Sequence, residues 1–314
     1  MIGGIIGFVL SAVLVFFTYA EKLSTDGCLT GAFLSDDTTA SDIRQFRKDY
    51  GKKPYIVMVF VEWNAFVRAR TIKEVYGQGS ALMVTWEPWA FVDKKGIDFD
   101  RLLAGGYDDY IKKFASQLKG VKKDVYMRFA HESNGDWYPW SAAKLGNEKY
   151  VAAYRHVKDI FDAVGASNVK WVFSVNWEDI PASNNFASSY PGDAYADYIG
   201  IDGYNWGTAQ SWSRWMSFSE IFKKRYDAIA AKYKQPIIIS EFSSSSAGGD
   251  KRLWVEEAMQ SLKALRRVAA FVVFNVDKET DWSLPIGTAA GKEFKKQLEN
   301  DHFKSNNKRR LYGK

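Results

Sequence analysis

Two glutamates follow apolar stretches that resemble buried strands. Glu132 lies within RFAHESNGDWYPW, and Glu241 lies within IIISEF. Aromatic neighbours and an apolar setting raise the pKa of a carboxyl group and keep it protonated, so Glu132 is suited to act as a general acid. Alternatively, Glu132 forms an ion pair with Arg128. The charge of Glu241 beside three Ile must be paired or hydrogen-bonded, and the hydroxyl of Tyr204 could donate that bond.

A pair of carboxyl groups with these two roles fits the hydrolysis of a glycosidic bond. One group protonates the leaving oxygen while the other attacks the anomeric carbon, and a separation of roughly 5–5.5 Å leads to retention through a covalent glycosyl-enzyme. His131 and Glu132 also begin the H-E-x-x-H signature of zinc proteases, but Gly135 stands where the second His belongs. With one Cys and three His in 314 residues, we expect no metal site and no cofactor.

Trp and Asn residues gather at the ends of other predicted strands. The chain has 12 Trp, and a hydrophobic core explains Trp within a strand but not Trp beside Glu or Asn just past its end. Flat aromatic faces can stack on sugar rings or on bases. We therefore predict a substrate-binding face, with Trp for stacking and amide and hydroxyl groups for hydrogen bonds, made of Trp86, Trp89, Asn134, Trp137, Asn176, Tyr204, Trp206 and Trp282.

Eight short apolar runs that alternate with helical patterns predict the scaffold. The predicted strands are residues 29–34, 55–61, 81–86, 125–129, 169–175, 198–201, 236–240 and 268–275, and the predicted helices are 41–50, 107–118, 147–164, 218–232, 251–265 and 292–298. Continuous apolar strands separated by helices indicate a parallel sheet that is covered on its outer face. Eight such units, without a G-x-G-x-x-G after the first strand, favour an α/β fold of the (β/α)8 TIM-barrel type, whose active site lies at the carboxyl ends of the strands.

The two ends of the chain differ from the single catalytic domain, which we place at residues 21–300. Residues 1–20 carry no charged side chain and are long enough for a signal peptide or a membrane anchor, so we expect an extracellular or cell-surface protein. Residues 301–314 form a basic tail that is either solvated or docked on an anionic surface. The net charge is +6, but the basic residues form no face interleaved with aromatic residues, which argues against nucleic acid as a partner. We expect a monomer.

The pattern R-F-x-H-E-x-N-G-x-W-Y-x-W resembles the acid/base motif of glycoside hydrolase family 26. IIISEF is similar to that family's nucleophile strand, and YIGIDGYNW is similar to its sixth-strand segment. The likeness extends over most of the predicted domain, from about residue 31 to residue 282, and implies that Glu132 is the acid/base and Glu241 the nucleophile. The other implied roles surround the cleaved sugar: His131 contacts the sugar or the nucleophile region, Tyr204 orients Glu241, and Trp137 and Trp282 form walls of the cleavage subsite.

The family is known for retaining endo-β-mannanases, and some members act on mixed-linkage β-glucan or β-xylan. The resemblance therefore implies a retaining endo-β-glycanase whose partner is a polysaccharide, either a β-mannan or glucomannan or a mixed-linkage β-1,3-1,4-glucan. Many mannanases of the family have a His after the third strand, where this chain has Trp86-Glu87-Pro88-Trp89, and this departure favours a glucan. Two alternatives remain: a transglycosylase that remodels an exopolysaccharide, and a non-catalytic polysaccharide-binding barrel.

Overall fold

Eight parallel strands form the centre of the molecule. The computed structural model describes residues 27–307, and the strands of the barrel are β1 (Cys28–Phe33), β2 (Ile56–Glu62), β3 (Ala81–Glu87), β4 (Val125–Phe129), β5 (Val169–Asn176), β6 (Tyr198–Asn205), β7 (Ile237–Ser244) and β8 (Val268–Phe274). Each strand pairs in parallel with the next, and β8 pairs with β1, so the sheet closes on itself. The predicted (β/α)8 barrel is confirmed.

Helices cover the outside of the barrel. They are α1 (Ala40–Tyr50), α2 (Ala69–Gly77), α3 (Phe99–Leu103), α4 (Asp108–Lys119), α5 (Ala142–Leu145), α6 (Asn147–Val164), α7 (Phe218–Lys232), α8 (Lys251–Ala264) and α9 (Ala289–Leu298). All six predicted helices are present, and α2 occupies the connection after β2, where the sequence shows no clear helical pattern. Capping boxes begin α1 and α7, so the sequence marks these two starts locally.

The sheet separates two apolar layers. Alternate residues of each barrel strand face the interior or the surrounding helices. In β3, Leu82, Val84 and Trp86 belong to the outer core against the helices, whereas Met83 belongs to the inner core of the barrel. The same alternation turns Glu87 toward the interior. Strand parity therefore decides which of the residues at a strand end can reach a ligand in the barrel opening.

Strands β6 and β7 extend further than the sequence indicates. β6 continues to Asn205, past the expected end at residue 201, and β7 continues to Ser244, past residue 240. The register between them shifts at Ser240, as in a β-bulge, and bulges re-aim neighbouring side chains. As a result, Ser240 and Glu241 are consecutive in the chain and yet both hydrogen-bond to side chains of the interior.

The C-terminal region is packed against the barrel before the basic tail ends. Phe303–Lys304 form β9, which pairs in parallel with β1, and the carbonyl of Lys304 accepts a hydrogen bond from Thr30 Oγ1 at 3.1 Å. Phe303, which precedes the basic run, is buried, whereas Lys304 is exposed. The solvated tail after it stays a prediction. Residues 308–314 and the apolar residues 1–20 lie outside the described part. Within that part, no helix has the length and apolar character needed to cross a membrane.

Candidate active site

The carboxylate of Glu241 is held by two donors at the carboxyl end of the barrel. Nη1 of Arg128, from β4, donates to Oε1 at 2.7 Å, and the hydroxyl of Tyr204, from β6, donates to Oε2 at 2.5 Å. The expected bond between Tyr204 and Glu241 is therefore present. Both donors stabilise negative charge on Glu241, and they fix the orientation of its carboxylate.

Arg128 connects Glu241 to a second buried carboxylate. Its Nη2 donates to Asp202 at 2.5 Å, and Arg128 and Asp202 are both fully buried. Ser174 and Ser240 donate their hydroxyl hydrogens to Asp202 as well. Burial lowers the pKa of Arg128, but the two carboxylates more than offset this effect and hold it charged. The alternative pairing of Arg128 with Glu132 is therefore wrong, since both Nη atoms of Arg128 serve other carboxylates.

Removing Arg128 is expected to destabilise the fold strongly. In Arg128→Met, two buried carboxylates lose their cation, and breaking a buried ion pair costs about 3–5 kcal/mol. Urea unfolding followed by Trp fluorescence would measure the change. Arg214→Met is the matched control, because Arg214 forms an exposed ion pair with Glu220 and should cost less than about 1 kcal/mol. Equal stability losses in the two variants would contradict the role given to Arg128.

Glu132 lies in a different setting from Glu241. It is almost completely buried; Asn176 Nδ2 donates to its Oε1 and Trp137 Nε1 to its Oε2, both at 2.9 Å. Burial raises the pKa of Glu132 to about 8, with further increases from Asp202 and Glu241, while the two hydrogen bonds lower it. A carboxyl group with this pKa carries a proton at neutral pH and is a competent acid.

The backbone around Glu132 is unusual for a residue with a side chain. Glu132 has a φ of 54°, in the left-handed region that costs energy for residues other than glycine. Its N–H donates to the carbonyl of Ser174 at 2.8 Å, which helps to hold this conformation. A Cβ added at Gly135 would lie 2.4 Å from the ring of Trp137. Glycine at 135 therefore leaves the room that the indole needs in the position from which it donates to Glu132.

Asn134 is buried beneath the site and hydrogen-bonds to its backbone instead of facing a ligand. It is fully buried; its Oδ1 accepts from the backbone N–H of Asn176 at 2.8 Å, and its Nδ2 donates to the carbonyls of Asn176 and Glu178. The prediction that Asn134 binds substrate is wrong, because its hydrogen-bonding groups are used within the protein. Its effect on Glu132 is indirect, through the position of Asn176.

The Trp residues at the strand ends divide into buried and accessible groups. Trp86 has no exposed surface and lies between Trp63, at 4.8 Å, and Phe114, at 4.5 Å. The prediction that Trp86 stacks on a substrate is wrong because its place in β3 turns it toward the helices. Trp282 is 1% exposed and packs behind Tyr204 at 4.9 Å. Five predicted residues keep exposed surface at this end of the barrel: Trp89, Trp137, Asn176, Tyr204 and Trp206.

His131 lies next to Glu132 in the chain but forms no described hydrogen bond with either glutamate. Burial lowers the pKa of His131 well below its usual range, so the ring is neutral. It packs against Tyr138 at 4.9 Å and Trp140 at 5.9 Å. Its Nδ1 is buried without a hydrogen-bond partner among residues 27–307. The described contacts of the His131 ring are therefore with aromatic side chains of the segment that follows Glu132.

The sequence that carries both glutamates agrees with one known family. Residues 19–264 match the family model for glycosyl hydrolase family 26. This chain belongs to glycosyl hydrolase family 26. Endoglucanase H of Acetivibrio thermocellus is 41% identical over 304 residues, which cover 92% of this chain and 33% of that protein. A mannan endo-1,4-beta-mannosidase of Bacillus subtilis is 24% identical over 212 residues, which cover 63% of this chain and 51% of that protein.

Family 26 structures share the barrel as a whole. An endo-beta-1,4-mannanase double mutant from Cellulomonas fimi matches with a TM-score of 0.69 at 17% identity, over 91% of this chain and 74% of that one. At this level of identity, the likeness concerns the fold. The chain spans only about a third of the length of Endoglucanase H.

A further carboxyl group of this family 26 site, that of Glu87, lies at the end of β3. Glu87 is buried, and its Oε2 accepts from Trp89 Nε1 at 3.1 Å. Burial raises the pKa of Glu87 to about 7. The observed hydrogen-bond partner of Glu87 is the indole of Trp89. Among residues 27–307, no group of three or more His, Cys, Asp or Glu is arranged to hold a metal ion.

Proposed function

We propose that this family 26 chain is a retaining endo-β-glycanase that hydrolyses a β-1,4-linked polysaccharide. The observation that carries the proposal is the contrast between two carboxyl groups at one end of the barrel. Glu132 is buried with a pKa of about 8, whereas Glu241 receives hydrogen bonds from a guanidinium and a phenol. A protonated acid and a charged nucleophile are the two groups that a retaining glycosidase needs.

In the first step, an oxygen of Glu241 attacks the anomeric carbon of the sugar. Glu132 gives its proton to the glycosidic oxygen, the bond to the leaving sugar breaks, and a covalent glycosyl-enzyme forms. Arg128 and Tyr204 orient the attacking carboxylate. Asn176 and Trp137 stabilise the carboxylate that Glu132 becomes after it has donated its proton, since both donate hydrogen bonds to it.

In the second step, Glu132 acts as the base. Once Glu241 is esterified, it no longer carries a charge. Its negative charge is one of the causes that raise the pKa of Glu132, so this pKa falls. Glu132 then takes a proton from a water molecule, the water oxygen bonds to the anomeric carbon, and Glu241 leaves as a carboxylate. The same charge coupling thus supports the acid role in one step and the base role in the next.

The substrate that we favour is a mixed-linkage β-glucan. The relative with 41% identity is named an endoglucanase. In addition, β3 ends at Glu87 and is followed by Pro88 and Trp89, in the segment where many mannanases of the family have a His. Release of reducing sugar from lichenan, barley β-glucan, mannan, glucomannan, carboxymethylcellulose and xylan would test this preference. We expect the fastest release from lichenan or barley β-glucan. Faster release from mannan would contradict the glucan assignment, and binding without any release would favour a non-catalytic barrel.

The pH dependence is expected to report the proton on Glu132. Because the acid must be protonated, kcat/KM should fall as the pH rises through about 8. In Asn176→Ala, the ionised form of Glu132 loses a hydrogen bond, so this alkaline limb should move to higher pH. The profile of kcat/KM from pH 5 to pH 10 measures the limb.

Glu87→Gln is the control for that profile. The pKa of Glu87 is also raised, to about 7, so it is the competing source of a limb in the same range. We expect the limb near pH 8 to persist in Glu87→Gln. If the alkaline limb disappears in Glu87→Gln and does not move in Asn176→Ala, the limb reports the titration of Glu87.

We also propose that the enzyme acts outside the cytoplasm, at the cell surface or in the medium. Support comes from residues 1–20, which carry no charged side chain, and from the polymeric substrate. Fractionation of cells that express the full chain, followed by N-terminal sequencing, would separate a cleaved signal from a retained anchor. Recovery of the uncleaved chain from the cytosol would contradict the proposal.

A further inference from the structure

We propose that Trp212 is a sugar-binding platform that extends the active site to a more distant unit of the polysaccharide. The inference rests on the proposed function, because it takes a glycan chain as the occupant. Trp212 is 70% exposed, compared with 40% for Trp137 beside Glu132. An indole this exposed presents a large apolar surface to solvent, and covering that surface with a ligand gains free energy.

A chain of aromatic contacts joins Trp212 to the nucleophile. The ring of Trp212 lies 5.3 Å from that of Trp206, at an angle of 60°. Trp206 in turn contacts Tyr204, with ring centroids 6.4 Å apart, and Tyr204 donates to Glu241. Trp212 is therefore the outer end of a continuous aromatic wall that begins at the cleavage site.

The loop that carries Trp212 is held in place. It connects β6 to α7, and Asn205 Oδ1 accepts from the N–H groups of Gly207 and Met216, one on each side of the loop. Ser213 Oγ donates to the carbonyls of Gly207 and Gln210. Because these bonds fix the loop before binding, a ligand that stacks on Trp212 loses little entropy in ordering it.

A neighbouring loop fixes the same segment from the other side. The N–H of Thr208 donates to the carbonyl of Ala247 at 2.9 Å. At Gly207, φ is 54° and an added Cβ would lie only 1.8 Å from the carbonyl oxygen of Ala247, so this close approach requires glycine. The platform is thus tied to the loop after β7, the strand that carries Glu241.

The surroundings of Trp212 suit a neutral polyhydroxylated ligand. Gln210 and Ser211 precede it in the chain, and their side chains carry an amide and a hydroxyl group without charge. The nearby cation, Arg214, is paired with Glu220. A flat indole with neutral hydrogen-bonding neighbours matches a sugar ring, which presents an apolar face and a rim of hydroxyl groups.

Kinetics on long and short substrates would test the platform. The polymer is whichever of barley β-glucan or glucomannan the wild-type enzyme cleaves faster, and the short substrate is a nitrophenyl β-disaccharide of the same sugar. In Trp212→Ala, we expect KM for the polymer to rise about tenfold more than KM for the disaccharide, the effect of losing about 60 Å² of buried apolar contact. Trp212→Phe should recover most of the polymer affinity, because it keeps an aromatic face.

The control variant is Leu253→Ala, which removes an exposed apolar side chain from α8 and should leave KM for the polymer unchanged. An unchanged polymer KM in Trp212→Ala would overturn the platform. So would an equal loss on the polymer and the disaccharide, which would show a structural effect on the cleavage site.

Affinity electrophoresis through gels that contain the same polymers separates this inference from the proposed function. If the enzyme hydrolyses none of the polymers but is retarded by them, and if this retardation is lost in Trp212→Ala, the proposed function is rejected and the platform is kept. Hydrolysis with retardation that does not change in Trp212→Ala would reject the platform and keep the proposed function.

Discussion

Glu241→Ala is expected to lower kcat on the preferred polysaccharide by roughly 10⁵-fold. Loss of an essential nucleophile has effects of this order, because no other group can form the covalent intermediate. Tyr204 and Arg128 remain in place but have no carboxylate to orient. Initial rates of reducing-sugar release, measured at saturating polymer, give the change in kcat.

Three controls separate loss of chemistry from loss of fold. Glu241→Gln keeps the shape of the side chain and should be as inactive as the Ala variant. Glu148→Ala removes an exposed glutamate at the start of α6 and should retain full activity. Added azide should partly restore Glu241→Ala and yield an α-glycosyl azide, because azide attacks from the side that the carboxylate occupied. Activity within about tenfold of wild type in Glu241→Ala would reject the nucleophile assignment.

Glu132→Ala is expected to lose about 10³- to 10⁴-fold on the same polysaccharide, toward the upper end of what general acid catalysis contributes. The loss should depend on the leaving group. A dinitrophenyl β-glycoside needs no protonation to depart, so its first step should remain fast, and the glycosyl-enzyme should then accumulate because no base activates water. A burst of dinitrophenol followed by slow turnover is the expected signature.

Azide distinguishes the two glutamates. With the dinitrophenyl substrate, azide should accelerate Glu132→Ala and yield a β-glycosyl azide, because it attacks the glycosyl-enzyme formed on Glu241. The opposite anomer is expected from Glu241→Ala. An equal loss on the polymer and on the dinitrophenyl glycoside would contradict the acid/base role of Glu132.

Local patterns were sufficient to predict the barrel. The parallel strands are buried on both faces and appear as continuous apolar runs, and helices such as Asn147–Val164 and Phe218–Lys232 have the predicted bounds. The ends of β6 and β7 could not be predicted in this way, because their last residues are polar and are kept in the sheet by pairing between these two neighbouring strands. β9 was missed for a similar reason, since two residues of strand carry no periodic signal.

The site could be predicted where one short motif contains both a reactive side chain and the apolar strand that positions it. Glu132 and Glu241 both follow apolar strands, and the bond from Tyr204 is observed. Trp86 shows the limit of reasoning from strand ends alone: counting alternate residues from Met83 would have placed it outside and Glu87 inside. The partners of Arg128 depend on which strands face each other, and this information is not local in sequence.

The exposed Trp212 shows a different limit. It lies in a loop, six residues past Trp206, where neither strand nor helix periodicity assigns a direction. Its exposure depends on the hydrogen bonds of Asn205 and Ser213 and on the close approach at Gly207. These are tertiary contacts, so only the folded chain brings Trp212 next to the aromatic wall.

If Glu241 is the nucleophile, it forms a covalent bond to the sugar, and this intermediate can be trapped. The enzyme would be treated with the 2-deoxy-2-fluoro glycosyl fluoride of its preferred sugar, digested with a protease and analysed by mass spectrometry. One adduct per chain is expected, on the peptide that contains Glu241, and none in Glu241→Gln. An adduct on a different carboxylate, or hydrolysis that releases the inverted anomer first, would contradict the nucleophile assignment.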